Sequence, residues 1–321
     1  FVMNIVRVAL AVPLPRFFDY LYSTDLTPII GGRVLVPFGS QKRVGIVVDL
    51  PASSDIAKEK LKPIIDVLDA ESLFNSTTWD WLAWSANYYH AALGDVLFQA
   101  LPVKLRHGES AVKNDRTFWR ITDLGKQALE SGKLKRAKKQ SEALNLLLTQ
   151  DLEKGNNEIS SAIWSALKGK DYVEEIIVPT EQKSWQQALG DNPLVNIDNR
   201  LTLNKQQALA FSQLLFQEGF NVWLLEGVTG SGKTEIYLQY IEEVLKKGKQ
   251  VLVLVPEIGL TPQTVRRFQA RFNVEIDVLH SNLNDTQRLN VWERARTGQS
   301  AIVIGTRSAL FIQFSDLGLI I

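Results

Sequence analysis

Three separable parts of a multidomain α/β protein are predicted for this 321-residue chain: a β-rich amino-terminal domain, a small mixed domain and a parallel-sheet lobe. Three observations carry the prediction. Within the first hundred residues, short β-branched runs are broken by proline and glycine. From residue 199 onward, apolar runs of strand length alternate with helical stretches. Between one such run and a helical stretch stands Gly227-Val228-Thr229-Gly230-Ser231-Gly232-Lys233-Thr234, which fits the phosphate-loop pattern G-x-x-x-x-G-K-[ST].

The opening runs 5–12, 33–37 and 44–49 are expected strands, separated by Pro13, Pro15, Gly31-Gly32 and Gly39. A helix is expected over 77–90, with Trp81, Trp84, Ser85 and Tyr88 at three- and four-residue spacings, and core packing is the plain reading of that stripe. This domain is taken as 1–105. The next, over 114–178, reads as a strand at 116–121, helices at 123–131, 138–150 and 159–168, and a strand at 173–178. That order suits a winged-helix module. Residues 179–198, with Gly190 and Pro193, read as a linker.

The lobe over 199–321 is a predicted parallel sheet covered on both faces. Its strands are expected at 222–226, 250–255, 275–279, 301–304 and 317–321, and its helices at 233–247, 262–272 and 284–296. Ligands of such sheets gather at the carboxyl ends of the strands. The chemistry-bearing residues stand at those ends: the phosphate loop, Pro256-Glu257, His280-Ser281 and Gly305-Thr306-Arg307.

Composition narrows the classes. No apolar run approaches the roughly 20 residues of a membrane-spanning helix, and the N-terminus lacks the basic patch and apolar stretch of a signal peptide. The absence of cysteine leaves no disulfide framework and no thiolate zinc site in this stretch. A cytoplasmic protein without a membrane partner is expected. Phe1 and Val2 precede Met3, the only methionine, so Met3 is the expected natural start. The net charge of +1 hides an uneven distribution: residues 104–140 carry 11 basic and 4 acidic side chains. That block could attract a polyanion or form a solvated face.

The phosphate loop predicts a nucleotide site for ATP and Mg²⁺. Its glycines let backbone N–H groups turn toward phosphate oxygens, and the helix that follows points its positive end at them. Lys233 is placed to neutralise the β- and γ-phosphates, and the Thr234 hydroxyl to ligate Mg²⁺. The loop alone does not distinguish kinases, transporters, GTPases and motors. Its company favours a motor. Leu203-Asn204-Lys205-Gln206-Gln207 precedes a helix upstream, with Gln207 where motors place an adenine-reading glutamine. Downstream, Thr261 in Pro256–Gln263 and Thr306, Arg307 and Ser308 follow strands, where hydroxyls and helix-start amides can donate to a nucleic-acid backbone. The plainer readings are helix capping for Thr261 and Ser308, and ordinary salt bridging for Arg307.

Taken together, these residues resemble the PriA family of bacterial primosomal replication-restart helicases. The resemblance rests on Val12-Pro13-Leu14-Pro15-Arg16-Phe17-Phe18-Asp19-Tyr20, Arg33-Val34-Leu35-Val36-Pro37-Phe38-Gly39, Asn87-Tyr88-Tyr89-His90 with Gly94-Asp95-Val96-Leu97, and the motor motifs. It implies an N-terminal domain for the nascent-strand 3′ end at a fork and a winged-helix domain on duplex DNA. It also implies a RecA-like superfamily 2 lobe driving 3′-to-5′ unwinding with ATP. Phe18, Asp19, Tyr20, Gly39 and Lys62 match the family's terminal-nucleotide pocket. Gln207, Lys233 and Thr234 match its ATP-binding positions. Forked DNA, single-stranded DNA-binding protein and primosome proteins are the implied partners.

Residues 317–321 resemble the strand that leads to the family's acidic Asp-Glu-Glu-His motif. The expectation is therefore of an N-terminal portion, with that motif, the second motor lobe and a zinc-binding segment lying beyond it. Two other functions fit the same residues. One is a DNA-structure-binding module without turnover of its own. The other is a duplex translocase, against which the stretch at 12–20 argues, because a 3′-end pocket makes sense at forks.

Overall fold

A computed structural model of the chain describes residues 3–111, 116–134, 137–154, 159–178, 182–215 and 219–321. The expectations at Phe1-Val2, at Lys135 and Arg136 of the basic block, and at the start of the 179–198 linker include positions outside the described residues.

The first sheet is antiparallel and five-stranded, built from β1 (Met3–Leu10), β2 (Phe18–Ser23), β3 (Arg33–Phe38), β4 (Gln41–Asp49) and β5 (Asp66–Val67), in the order β2-β1-β4-β3-β5. Alternation along β1 sends Val6 and Val8 into the core with Tyr20, Val34, Val36 and Val47. Arg7 leaves by the other face. β2 was not anticipated as a strand, because its Phe-Asp-Tyr-Leu-Tyr run reads as a motif and its edge is set by pairing with β1. Three helices follow: α1 (Ser76–Tyr88), α2 (Leu93–Gln99) and α3 (Val103–Arg106). Asn75 caps α1 by accepting from the Thr78 amide at 2.8 Å.

The aromatic stripe of α1 is not the core expected. Trp81 packs against Phe311, with ring centroids 5.6 Å apart, whereas Trp84, Tyr88 and Tyr89 are exposed. The buried residues of α1 are Leu82 and Ala86, so the spacing marked a helix and not its buried face.

Arg33 ties this part together. It is fully buried and grips Asp69 through Nε and Nη2, each at 2.8 Å, while Nη1 donates to the carbonyls of Leu105 and Glu109. A charge taken out of water needs such complete pairing.

Residues 112–182 form a compact unit of their own. It runs β6 (Arg116–Ile121), α4 (Asp123–Glu130), α5 (Lys138–Leu147), β7 (Leu152–Glu153), α6 (Ser161–Lys168) and β8 (Val173–Val178), with the sheet ordered β7-β6-β8. Trp119 and Trp164 stack at 5.3 Å between centroids in its core.

The third part holds α7 (Trp185–Leu189), α8 (Lys205–Leu215), α9 (Lys233–Lys246), β9 (Gln250–Leu254), α10 (Pro262–Arg271), β10 (Ile276–Leu279), α11 (Asp285–Arg296), β11 (Ile302–Gly305) and β12 (Leu317–Ile320). Its strands are parallel, in the order β10-β11-β9-β12. Two expectations are corrected here. Residues expected as linker carry α7, whose Trp185 is buried in the lobe's core, because an indole of that size finds shelter wherever the chain allows. Residues 222–226, expected as a buried strand, are not in the sheet. Val222 and Leu224 are 83% and 90% exposed, and β12 is the sheet's edge among the described residues. An apolar run specifies burial, but strand pairing also needs a partner distant in sequence, which the run itself does not name.

Residues 3–111 and 183–321 cluster as one compact unit. The contact is specific: the buried Gln313 side chain accepts from the Asn75 amide at 2.7 Å and donates to the Leu73 carbonyl at 3.0 Å.

Candidate nucleotide and nucleic-acid sites

Among the cavities of the described residues, two bear on the phosphate loop and on the strand ends. One, of about 700 Å³, is lined by the loop from Thr229 to Thr234, by Asn199 and Leu201, and by Arg267, Ala270 and Arg271. Gly230 and Gly232 hold φ near +83°, which L side chains rarely adopt, and a Cβ on Gly232 would collide with the Gln207 amide. Gln207 is therefore at the loop: its Nε2 donates to the Ser231 carbonyl at 2.9 Å and its Oε1 accepts from the Asn204 amide at 2.9 Å. Lys233 opens α9 and turns its ammonium onto the Gly227 and Val228 carbonyls. Thr234 stands beside it in the first turn, half-buried. Glycine-freed amides, a helix N-terminus, one lysine and one hydroxyl are the donor set that a Mg-bound triphosphate requires, so these residues fit that group.

The wall opposite the loop was not anticipated. Arg271, fully buried at the end of α10, donates to the Asn199 carbonyl at 2.7 Å and to Glu235 at 3.0 Å. Asn199 in turn donates to the Ala270 carbonyl. Arg271 was legible only as one cation in a helical stretch, and nothing local marks it as buried.

The second cavity, about 750 Å³, opens at the carboxyl ends of β10 and β11 beside α10. Thr261, Thr306 and Ser308 line it; Arg307 does not and is exposed. Arg266, His280, Ser281 and Arg288 join them, together with one carboxylate, Glu257. Thr261 also caps α10 through the Thr264 amide, so its capping reading holds alongside its place in the cavity. Among the described residues Ser308 caps no helix and Arg307 has no ion-pair partner.

On the amino-terminal sheet, Asp19 faces Arg7 across the β1–β2 ladder. Arg7 donates to both carboxylate oxygens, at 2.8 and 3.1 Å, and the Ser54 hydroxyl donates at 2.6 Å. The Arg7 hydrogen bond is the main reason the Asp19 carboxyl is held below its usual range. Strand alternation puts Phe18 and Tyr20 on the opposite face. Tyr20 is buried with its hydroxyl on the Pro37 carbonyl, and Phe18 meets Phe38 edge-on at 5.2 Å. Tyr20 is part of the sheet's core and Phe18, half-buried, packs against it. Gly39, at φ +60°, makes the exposed β3–β4 turn. Lys62 lies beside β2, its carbonyl accepting from the Leu21 amide.

The basic block is partly spent on internal partners. Lys104 pairs with Glu109, Arg120 with Asp151 and Lys126 with Asp123, while Arg106 donates to the Leu101 carbonyl.

Comparison with known proteins bears on both regions. Residues 7–102 match the PriA 3′DNA-binding domain, and residues 204–321 match the DEAD/DEAH box helicase domain. Over 99% of its length the chain is 75% identical to the replication restart protein PriA of Haemophilus influenzae. The chain belongs to the PriA family. It is also 35% identical to the PriA of Buchnera aphidicola from Acyrthosiphon pisum over 99% of its length, and 29% identical to that of Bacillus subtilis over 96%. It spans 44%, 43% and 47% of those three relatives, less than half of each. No helix among the described residues is long and apolar enough to cross a membrane.

Proposed function

We propose that the chain is the fork-reading and ATP-binding part of a 3′-to-5′ DNA helicase that restarts replication at abandoned forks. The observation that carries this reading is the union, in one chain, of a 3′DNA-binding match over 7–102 with a helicase-type lobe over 204–321. The direction of movement rests on the family resemblance, as do single-stranded DNA-binding protein and primosome proteins as partners, the cytoplasm as compartment, and zinc held elsewhere in the full-length protein. Residues 116–178 act as a winged-helix module on duplex DNA. The order strand, two helices, strand, helix, strand supports this role.

Each site then has a physical task. Bound Mg–ATP supplies the free energy of phosphoanhydride cleavage. Lys233 offsets the charge of the polyphosphate, the loop amides surround it, Thr234 presents its hydroxyl to the metal, and Gln207 reads the base edge beside the loop. Thr261, Thr306 and Ser308 hold a strand's backbone in the groove, and Arg307 reaches toward it from the rim. Asp19, kept anionic by Arg7, accepts a hydrogen bond from a 3′-hydroxyl and repels a 3′-phosphate. A carboxylate has about four lone-pair sites, and Arg7 and Ser54 occupy three. Phe18, Tyr20, Gly39 and Lys62 contribute backbone and shape around that end rather than a stacked ring.

Forks identical except for a 3′-hydroxyl or a 3′-phosphate on the nascent strand test the reading. The hydroxyl end should bind about tenfold more tightly, worth about 1.4 kcal/mol. Asp19→Ala should erase most of that difference while leaving salt-dependent duplex binding in place. Equal affinity of the unmutated chain for the two ends would sink the assignment.

A further inference from the structure

A third cavity, of about 230 Å³, lies where the start of α3 meets α11. Pro102, Val103 and Arg106 line it from the amino-terminal side, and Phe311 from the lobe. Asp285, Arg288 and Trp292 complete the wall at three- and four-residue spacings, so one face of α11 supplies all three. Arg288 and Ser308 also line the groove assigned above to a strand's backbone. The cavity and the groove therefore share a wall.

Trp292 sets the chemistry. It is 4% exposed, and its buried Nε1 has no hydrogen-bond partner among the described residues. A buried N–H left unpaired is costly, and native proteins keep few of them. The ring is held in place: the Arg296 guanidinium lies 5.3 Å from its centroid and is itself fixed by both oxygens of Glu293. Phe311 is held as well, against Trp81. Two aromatic walls are thus set before any ligand arrives. Arg106 adds a second donor. Its Nε and Nη2 go to the Leu101 and Gln99 carbonyls, which leaves Nη1 uncommitted, and no carboxylate pairs with it among the described residues. Asp285 is the single carboxylate of the lining.

Aromatic and apolar walls with clustered donors and one acceptor suit a flat ligand edged with acceptors. The volume far exceeds what one water needs to satisfy the indole. A strand in the adjoining groove carries such ligands with it, because its unpaired bases swing off the backbone without first breaking a duplex.

We propose that this cavity receives one base of the strand held in the neighbouring groove. The base lies against Trp292 and Phe311, and its carbonyl oxygen accepts from the Trp292 indole N–H. Arg106 donates to a second acceptor of the base, and a ring N–H of the base donates to Asp285. Thymine and guanine carry a carbonyl oxygen beside a ring N–H, whereas adenine has neither and fits less well. The inference rests on the assignment of the groove to a strand, and adds to it a base pocket with a preference. It also gives the meeting of residues 3–111 and 183–321 a task, since each contributes a wall.

The test separates backbone from base. It measures binding to this chain of a short oligonucleotide made only of abasic residues, and of the same strand carrying one central thymine or one central adenine. A lone base on an abasic strand can slide until it meets the pocket, so no register need be known. One thymine should tighten binding about tenfold over the abasic strand, and one adenine by clearly less. Trp292→Phe keeps a ring but loses the N–H, and should remove most of the thymine gain. Val103→Phe narrows the cavity and should abolish it. Both variants should bind the abasic strand as the unmutated chain does, which also shows that they are folded. An abasic strand that binds while thymine adds nothing would overturn the pocket and leave the groove standing. So would a thymine gain that survives both variants. Equal gains from thymine and adenine would overturn the assigned donor pattern. Failure of the unmutated chain to bind any of these strands or an oligothymidylate would instead overturn the groove, and the pocket with it.

Discussion

Asp19 shows how one residue's meaning changes when its partners are known. In the sequence it stands between two aromatics after a proline turn, and the rings look like its natural company. In the structure the β1–β2 ladder gives it Arg7 and Ser54 instead, while strand alternation takes Phe18 and Tyr20 to the core face. Its lowered pKa has a stability consequence. A carboxyl whose folded pKa lies below its unfolded value, about 3.9, contributes stability above that value and loses it as pH falls through the folded value. Asp19→Asn should therefore lower the melting temperature by a few degrees at pH 7, and the gap to the unmutated chain should close below about pH 4. A gap independent of pH would show that shape, not charge, is what the substitution removes. Lys233 presents the opposite case, a residue singled out by its motif alone. Lys233→Ala should weaken Mg–ATP binding at least tenfold, read by a fluorescent analogue, with little change in melting temperature, because its ammonium touches only carbonyls of its own loop.

At the scale of elements, legibility follows the range of the interaction that makes the element. Helices α9, α10 and α11 fall within a residue or two of expectation, because periodicity and caps such as Thr261 and Asn284 are local. The β-branched strands β9 and β11 were equally plain. The same reasoning fails at 222–226, where the run is apolar but pairing is a matter of distant partners, and at β2, where pairing with β1 makes a strand of a polar-aromatic motif. Gln207, singled out by its motif, lies against the loop, whereas Arg267 and Arg271 carried no local signal, because which face of a helix borders a cavity depends on the packing of α9 and residues 196–201. The exposed state of 222–226 has a direct measure. Its amides should exchange with solvent near the unstructured rate while those of β9 and β11 are protected, since only the latter lie in the ladder. Comparable protection of 222–226 and β9 would place the run back in the sheet.

At the scale of the molecule, the sequence separates an N-terminal domain from a nucleotide lobe by almost a hundred residues, yet residues 3–111 and 183–321 form one compact unit. The join is made by groups that cannot be left unpaired cheaply. Gln313, 5% exposed, uses both ends of its amide on the backbone at Leu73 and Asn75, the Asn75 side chain returns a bond to the Phe314 carbonyl at 3.2 Å, and Trp81 lies against Phe311. Nothing in the local sequence announces this, since a glutamine after an apolar run reads as surface. Each buried backbone group stripped of its partner costs about 1–3 kcal/mol. Gln313→Ala strips two, and should lower the unit's thermal transition by several degrees. Gln313→Glu keeps an acceptor for the Asn75 amide but sets a buried, unpaired carboxylate against the Leu73 carbonyl, and should destabilise at least as much. The form of the transition is the sharper readout. With the join intact, near-ultraviolet circular dichroism at the tryptophans of 79–84 should melt together with nucleotide-analogue release from the lobe. In Gln313→Ala the two should separate. Coincident melting in both proteins, at unchanged temperature, would mean that residues 3–111 and 183–321 are held as one by something other than this contact.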